Sequence, residues 1–290
     1  MKLLLKFNLV FLLIFAAGLA ATGRVSWSLL ERNARSEIAE NARLLMDAAL
    51  AARGYTASQI QPLLETQLKY SFVPQYIPAY SATEVFNTLR KNHAEYSYKE
   101  AVLNPTNPRD RTVEWESDIV GQFRNSKEMT EIVGDRETPT GRSFYVARPI
   151  RITNGNCLLC HSTIEAAPKT VIERYGTANG FGWNLNEVVG AQIISVPTKV
   201  PLDRAEQAFK VFMTSITAVF IVIGIMLNVM LWVMVIRPVS KLSQFADRVS
   251  LGELDIAEFK RAANDEIGVL AKSIGRMRTS MVQAMKMLET

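Results

Sequence analysis

Apolar positions along this chain follow three patterns. Two runs are continuous, Leu3 to Thr22 (LLLKFNLVFLLIFAAGLAAT) and Val211 to Ile236 (VFMTSITAVFIVIGIMLNVMLWVMVI). An α-helix of about 20 apolar residues crosses a bilayer, so each run predicts a transmembrane helix. The second run carries no charge, and Thr214, Ser215, Thr217 and Asn228 can bond to their own helix or to a neighbour. Helical spacing is the second pattern. Ile38, Ala42, Leu45, Ala49 and Ala52 predict a helix from about Val25 to Arg53 that Gly54 ends, and Ala82 to Lys91 predicts another with Ser81 as its cap. The third pattern is strand-length: Ser143 to Ile150 and Val188 to Val196 are rich in β-branched and aromatic residues.

These patterns divide the chain into residues 1–24 (a first membrane helix), 25–208 (a domain), 211–236 (a second membrane helix) and 237–290. The fold class expected is α+β for the domain, a small sheet flanked by helices, with all-α segments around it. Asn104-Pro105-Thr106-Asn107-Pro108 marks a double turn within the domain. The first run also has the make-up of a cleavable signal peptide, with Lys2 and Lys6 at its start and Gly18-Leu19-Ala20-Ala21 near its end. Because the helical pattern continues past Gly23 without a Pro or a turn cluster, an uncleaved signal anchor is the expectation. Lys2 and Lys6 at the start of the first run, and Arg237 and Lys241 after the second, orient both chain ends towards the cytoplasm and place residues 25–208 outside.

Beyond Ile236 the spacing changes to that of a coiled-coil seam. Val239, Leu242, Ala246 and Val249 alternate three and four apart, a break follows at Gly252-Glu253-Leu254-Asp255, and the seam resumes through Ile267, Leu270, Ile274, Met277, Met281, Ala284 and Leu288. With Pro238 after the membrane run, Gly252-Glu253 as connector and Asp265-Glu266-Ile267-Gly268 opening the second helix, residues 237–290 resemble the HAMP signalling module. Neither helix can bury its seam alone, so a homodimer with a four-helix core is expected, joined through this module and the membrane helices. With the chain ending at Thr290, the expectation is either output through a separate cytoplasmic protein or a shortened relative of longer receptors.

Both cysteines and one of the two histidines lie in Cys157-Leu158-Leu159-Cys160-His161. Two thiols three residues apart stand on one side of a helical turn and can add to the two vinyl groups of a haem, while the adjoining imidazole reaches the iron. The reading is one covalent c-type haem per chain, with Cys157 and Cys160 as thioether positions and His161 as the proximal ligand. Such attachment is made on the outer side of the bacterial inner membrane, where the topology puts this domain. Zinc would need a fourth ligand that the sequence does not offer nearby, and a Cys157–Cys160 disulfide would leave His161 unexplained.

Tyr96-Ser97-Tyr98-Lys99-Glu100-Ala101, Leu103 to Pro108, the motif itself and Gly180-Phe181-Gly182-Trp183 resemble the family of PAS-like periplasmic sensor domains that bind c-type haem. The resemblance covers about residues 40 to 200. It implies a PAS-like antiparallel sheet with flanking helices, and a sixth iron ligand drawn from the N-terminal helix. The family member in question uses a cysteine there, and both cysteines here are taken by the motif. Met46, between the small residues Ala42 and Ala49, is the first candidate for that position, His93 the second, and an open or water-bound iron the third. Arg142, Arg148 and Arg151 are candidate partners of the haem propionates. Tyr145, Phe181 and Trp183 are candidate walls, with ordinary core as their competing role.

The function expected is a sensor of redox state or of a diatomic gas in the bacterial inner membrane. A membrane-anchored cytochrome that carries electrons is the main alternative, and a haem-free binding module is a third reading. Two histidines supply no Ser/His/Asp set, and the sequence shows no phosphate-binding glycine loop, so no enzyme is expected. The net charge of +5 comes from scattered basic residues, which argues against a nucleic-acid partner.

Overall fold

The structure, a computed structural model, describes residues 3–126, 128–139, 141–257 and 265–288. Lys2 of the basic flank, residues 258–264 of the expected signalling module and its end at 289–290 lie outside the described residues. The chain divides into two compact units, Trp27–Ala208 and a second built from Met1–Ser26 with Phe209–Thr290.

The first unit is organised around four strands: β1 (Ser97–Val102), β2 (Ile132–Thr138), β3 (Gly141–Arg151) and β4 (Val188–Pro197). They form one antiparallel sheet in the order β1-β4-β3-β2. Alternation along the strands sends successive side chains to opposite faces. One row of register partners, Tyr98–Ile194–Val146, therefore packs against helix α1 (Leu3–Tyr55) and helix α3 (Pro78–Leu89). From α1 the core receives Ile38, Ala42, Met46 and Ala49, and from α3 Ala82 and Phe86. On the other face Ala101, Ala147, Ala191 and Ile193 meet Ile119, Val120 and Phe123 of helix α4 (Glu114–Asn125). The Glu116 carboxylate ties α4 to the sheet by accepting from the Val113 N–H at 2.9 Å and from Lys99 Nζ at 2.6 Å.

Two helix boundaries differ from expectation. Gly54 does not end α1, which continues to Tyr55, through a π-helical turn (Thr56–Ile60) and into helix α2 (Gln61–Leu68). A glycine ends a helix by taking a positive φ, whereas Gly54 keeps the helical backbone. Ser81 does not cap the next helix either. Ile77 is extended and Pro78 opens α3 at its first position, where the missing N–H costs nothing, so Ser81 sits inside the helix. The expected strands are both present, as parts of β3 and β4.

In the second unit, α1 and helix α7 (Lys199–Leu231) are long and apolar enough to cross a membrane. Phe15 packs on Phe220 at 4.5 Å between ring centres. Asn8 and Asn228 each donate from Nδ2 to the other's Oδ1 at 2.8 Å. A π-helical turn (Trp232–Ile236) leads into helix α8 (Arg237–Ser250), whose Leu242, Phe245 and Val249 are buried, as is Ala271 of helix α9 (Glu266–Leu288). Gly252 ends α8 in the way Gly54 does not end α1. Its φ is +88°, and it donates to the Val249 carbonyl while Glu253 donates to that of Arg248, the paired bonds of a Schellman cap.

Candidate functional site

The motif begins on a 3-10 turn (Gly155–Cys157) and continues as the short helix α5 (Leu158–His161), with helix α6 (Lys169–Tyr175) following it in the chain. Asn154 starts it: its side chain accepts from the Asn156 N–H at 2.9 Å and its carbonyl from the Cys157 N–H at 3.1 Å. Residues three apart on a helical turn share a side, so Cys157 and Cys160 stand together. Both are free thiols, half-buried, and burial raises the pKa of each above the ordinary value.

His161 is held on three sides. Its Nδ1–H donates to the Gly180 carbonyl at 2.7 Å, Thr106 Oγ1 lies 3.4 Å from the same nitrogen, and the Trp183 ring stacks on the imidazole at 3.9 Å and 13°. Backbone bonds from Gly182 N–H to Ser162 O (2.9 Å) and from Trp183 N–H to His161 O (3.1 Å) lay residues 180–183 along the end of the motif. Asn104 clamps that segment from the other direction, accepting from the Gly180 N–H and donating to the Phe181 carbonyl, each at 3.2 Å. Gly180 is required here: its φ is +88°, and a Cβ would stand 2.0 Å from Thr106 Oγ1.

The protein thus fixes the tautomer of His161. A proton held on Nδ1 by a carbonyl leaves the Nε2 lone pair for a metal, the arrangement that orients ligating histidines and raises their basicity. Burial lowers the His161 pKa, which keeps the ring neutral, as metal ligation requires. Two unoxidised thiols and one neutral imidazole are the donor set a c-type haem needs, so the residues fit that group. Among the described residues no cluster of three or more His, Cys, Asp or Glu is placed to hold a metal ion.

The other candidates are dispersed. Met46 is wholly buried in the core against α3 and the sheet, and the space expected beside Ala42 and Ala49 is filled by Phe86, Tyr98, Val146, Ile194 and Val196. His93 is exposed, 4.0 Å from Glu95 and edge-on to Tyr96. Arg148 is engaged by Asp47 at 2.6 Å and Glu131 at 3.3 Å, Arg142 by Asp135 at 3.0 Å, and Arg151 donates to the Asn186 carbonyl at 3.1 Å. Trp183 joins the motif, and Phe181 lends its carbonyl to the Asn104 clamp. Tyr145 instead packs on Trp115 at 5.5 Å.

Four residues that the sequence reading left without a role stand near the motif. Arg53, on the last turn of α1, donates to the Glu100 carboxylate, and the Tyr98 hydroxyl donates to the same oxygen. Glu100 and Tyr98 are 3% and 7% exposed. Burial, the largest single influence, disfavours the charged guanidinium, but Glu100 and Tyr98 together outweigh it and raise the Arg53 pKa. Burial, with Glu100 beside it, raises that of Tyr98. Arg53 also acts electrostatically on the Cys157 thiol, and Cys160 acts on Tyr76. Arg53 lies seven residues after Met46, about 10 Å along the axis at 1.5 Å per residue. The signal was present in SYKEAV: Tyr98, Glu100 and Val102 alternate onto one face, and a carboxylate between two apolar neighbours calls for a buried partner.

A family model described as Tll0287-like matches residues 31–197. Among solved structures, one titled as the crystal structure of the cyanobacterial heme-protein Tll0287 is 14% identical, with a TM-score of 0.40, over 52% of this chain and 94% of that one. No curated protein matches.

Proposed function

This chain belongs to the Tll0287-like family, and we propose that it is a membrane-bound sensor whose outer unit carries one covalent c-type haem on Cys157 and Cys160, with His161 as iron ligand. The observation that carries the reading is the His161 ring, with Nδ1 committed to the Gly180 carbonyl and Nε2 left for a metal beside two free thiols. The protein that gives the family its name is itself described as a cyanobacterial haem protein. A haem held this way supplies a one-electron centre and, where a coordination position is open, a site for a diatomic gas.

The chain's own residues hold and orient. Gly180 and Thr106 fix the His161 proton, Trp183 sets the plane of the ring, and the Asn104 clamp keeps the 180–183 segment against the motif. In this reading α1 and α7 cross the inner membrane with the sensor unit periplasmic and both termini cytoplasmic. Helices α8 and α9 form a HAMP module that pairs with a second copy and passes the signal to a separate protein. A packing with two arrangements a few kcal/mol apart suffices for such a relay.

The test is the absorption spectrum and mass of full-length protein made with the haem-attachment machinery present. Wild type is expected to show a Soret band that responds to reductant and a mass one haem above the polypeptide. Cys157→Ser with Cys160→Ser loses the covalent haem, and His161→Ala shifts the spectrum. A colourless wild type with the bare polypeptide mass sinks the proposal. Deleting residues 237–290 separates sensor from electron carrier, since a carrier keeps its electron-transfer rate. For Met46 the closed core favours a packing role: Met46→Ala is expected to cost about 2–5 kcal/mol of stability with an unchanged spectrum. A spectral change would restore it as the sixth ligand.

A further inference from the structure

Where α1, β2, β3 and the start of α7 meet, they enclose a hollow of about 90 Å³ that takes no part in the proposed haem site. It lies at the far end of the sheet from the motif. Phe144 in its wall is seven residues from Arg151, where β3 leaves for the motif, or about 23 Å of strand. Strand alternation builds the wall. Arg142 and Phe144 are two apart on β3, and Phe144 is the register partner of Asp135 on β2, so the three side chains share the face that receives α1. Ile38 of α1, Phe144 and Leu202 of α7 form an apolar floor continuous with the core of that face. Arg35, Arg142 and Asp135 form a charged rim. Asp135 Oδ2 accepts from Arg142 at 3.0 Å and from Arg35 at 3.5 Å, and Glu31, outside the lining, accepts from Arg35 Nε at 3.2 Å. Thr198, between β4 and α7, steadies the rim: its N–H and its hydroxyl both donate to the Arg142 carbonyl, at 3.2 and 3.0 Å.

We propose that this hollow is a binding site for a short-chain monocarboxylate. The lining carries two cations against one anion, so a single negative charge completes it. A guanidinium presents five N–H donors in a fork that matches a carboxylate, and the bonds above engage one donor of Arg142 and two of Arg35. The floor decides between kinds of anion. A bare inorganic ion against Ile38, Phe144 and Leu202 loses hydrogen bonds to water without replacement, whereas an aliphatic tail gains from the same contact. The volume is that of about three waters at about 30 Å³ each, which admits an acid of about two to four carbons. An occupant touches α1, both strands of the β2–β3 pair and the first turn of α7 at once, so it favours the arrangement in which these elements close on one another. The unit thereby gains a second input, separate from the motif and independent of the haem reading.

The experiment is calorimetric titration of purified full-length protein with acetate, propionate, butyrate and inorganic phosphate in turn, at constant ionic strength in chloride buffer. Saturable binding of one propionate per chain, tighter than phosphate by about ten-fold or more, is expected. Arg142→Gln weakens it by about ten-fold or more, the worth of a charge-assisted fork. Arg43→Gln, which removes another α1 arginine paired with Glu131 outside the lining, binds as wild type does. Leu202→Trp fills the hollow while both guanidiniums remain, and abolishes binding. A thermal melt of each variant checks folding, and the wild type melts higher in saturating propionate. Should Arg142→Gln not fold, Arg142→Lys replaces it, keeping the charge, losing the fork and still weakening binding. No saturable heat, phosphate binding as tightly as propionate, or folded Arg142 and Leu202 variants that bind as wild type does overturn the inference. Cys157→Ser with Cys160→Ser is expected to bind propionate unchanged, so a colourless protein sinks the haem reading and leaves this site standing.

Discussion

β4 and α7 are neighbours in sequence and both are built largely of Val, Ile and other apolar residues, yet their surroundings are opposite. In β4 nine of the ten residues, Val188 to Val196, are buried, whereas α7 has no buried residue over its 33 positions. Ile194 is fully covered, while Ile225 and Met226 are 60% and 67% exposed. An apolar run states only that water is avoided. The strand meets that demand with side chains of its own unit, as a central strand between β1 and β3 with helices over both faces. The helix offers its surface outward, which a bilayer would cover at no cost to its backbone, since all its hydrogen bonds are internal.

The same substitution placed in both segments breaks the comparison most sharply. Ile194→Ala is expected to destabilise the Trp27–Ala208 unit by about 2–5 kcal/mol, because the cavity has packed walls on every side. Ile225→Ala is expected to leave that unit's melting transition unchanged, within about 0.5 kcal/mol, the range of substitutions that open no cavity in a packed core. Denaturant titration of both variants in detergent or nanodiscs measures the difference. Equal losses would mean that α7 is packed as a protein core.

A second contrast is electrostatic: among the described residues, the ionisable groups with shifted pKa values lie in the Trp27–Ala208 unit. Asp110 has its pKa raised to about 6, by burial first and by Glu100 as well, against the pull of Arg109 and Lys99. A carboxyl whose folded pKa lies above the unfolded value of 3.8 binds more protons folded than unfolded between these values. Stability therefore falls as pH rises from about 4 to about 6, and the penalty is fully present above that. Asp110→Asn should recover up to about 3 kcal/mol at neutral pH, at 1.36 kcal/mol per unit, and flatten the dependence between pH 4 and 6. Melting temperatures of both proteins across pH 4 to 8 check the sign. A variant less stable than wild type at pH 7 would show that the Arg109 contact at 3.6 Å outweighs burial.

What the sequence revealed follows the same division. Periodicity and composition are local, so the two apolar helices, both expected strands and the amphipathic pair after Ile236 were readable, as was the motif, whose five residues lie together. The site around it was less so. Thr106, His161 and Gly180 meet across 74 residues of chain, and although the segments carrying them were singled out, no spacing rule assigns Gly180 as the carbonyl that fixes the His161 proton. Arg53 and Glu100 are 47 residues apart, and pairing them takes the sheet register together with the rotation of α1. The boundary at Gly54 failed because glycine permits a helix end without imposing one. Gly252, with the same residue type and the bonds of a Schellman cap, did impose it.

The smallest expected effect lies at a half-buried polar pair between α1 and α7, to be set beside the buried Arg53–Glu100 pair. Asn8 and Asn228 join α1 to α7 by reciprocal bonds, and each Nδ2 uses its second hydrogen within its own helix, on Leu4 O at 2.9 Å and Gly224 O at 2.8 Å. Each amide thus donates twice, and the same two helices also meet through Phe15 and Phe220. Arg53–Glu100 carries full charges, and removing one partner strands the other; the asparagines are neutral, and each keeps its intrahelical bond when the other is lost. Interhelical bonds of this kind in membranes contribute about 0.6 kcal/mol on average, with a ceiling near 1.7. Asn228→Leu is therefore expected to weaken pairing of the two helices by about 1 kcal/mol, with Asn8→Leu/Asn228→Leu no worse than the single change. The measurement is the extent of disulfide formation between cysteines placed at positions 15 and 220, whose rings now meet at 4.5 Å. A drop of several-fold in cross-linking for Asn228→Leu fits this range, and an unchanged yield would mean that the amide pair adds nothing to the pairing of the helices.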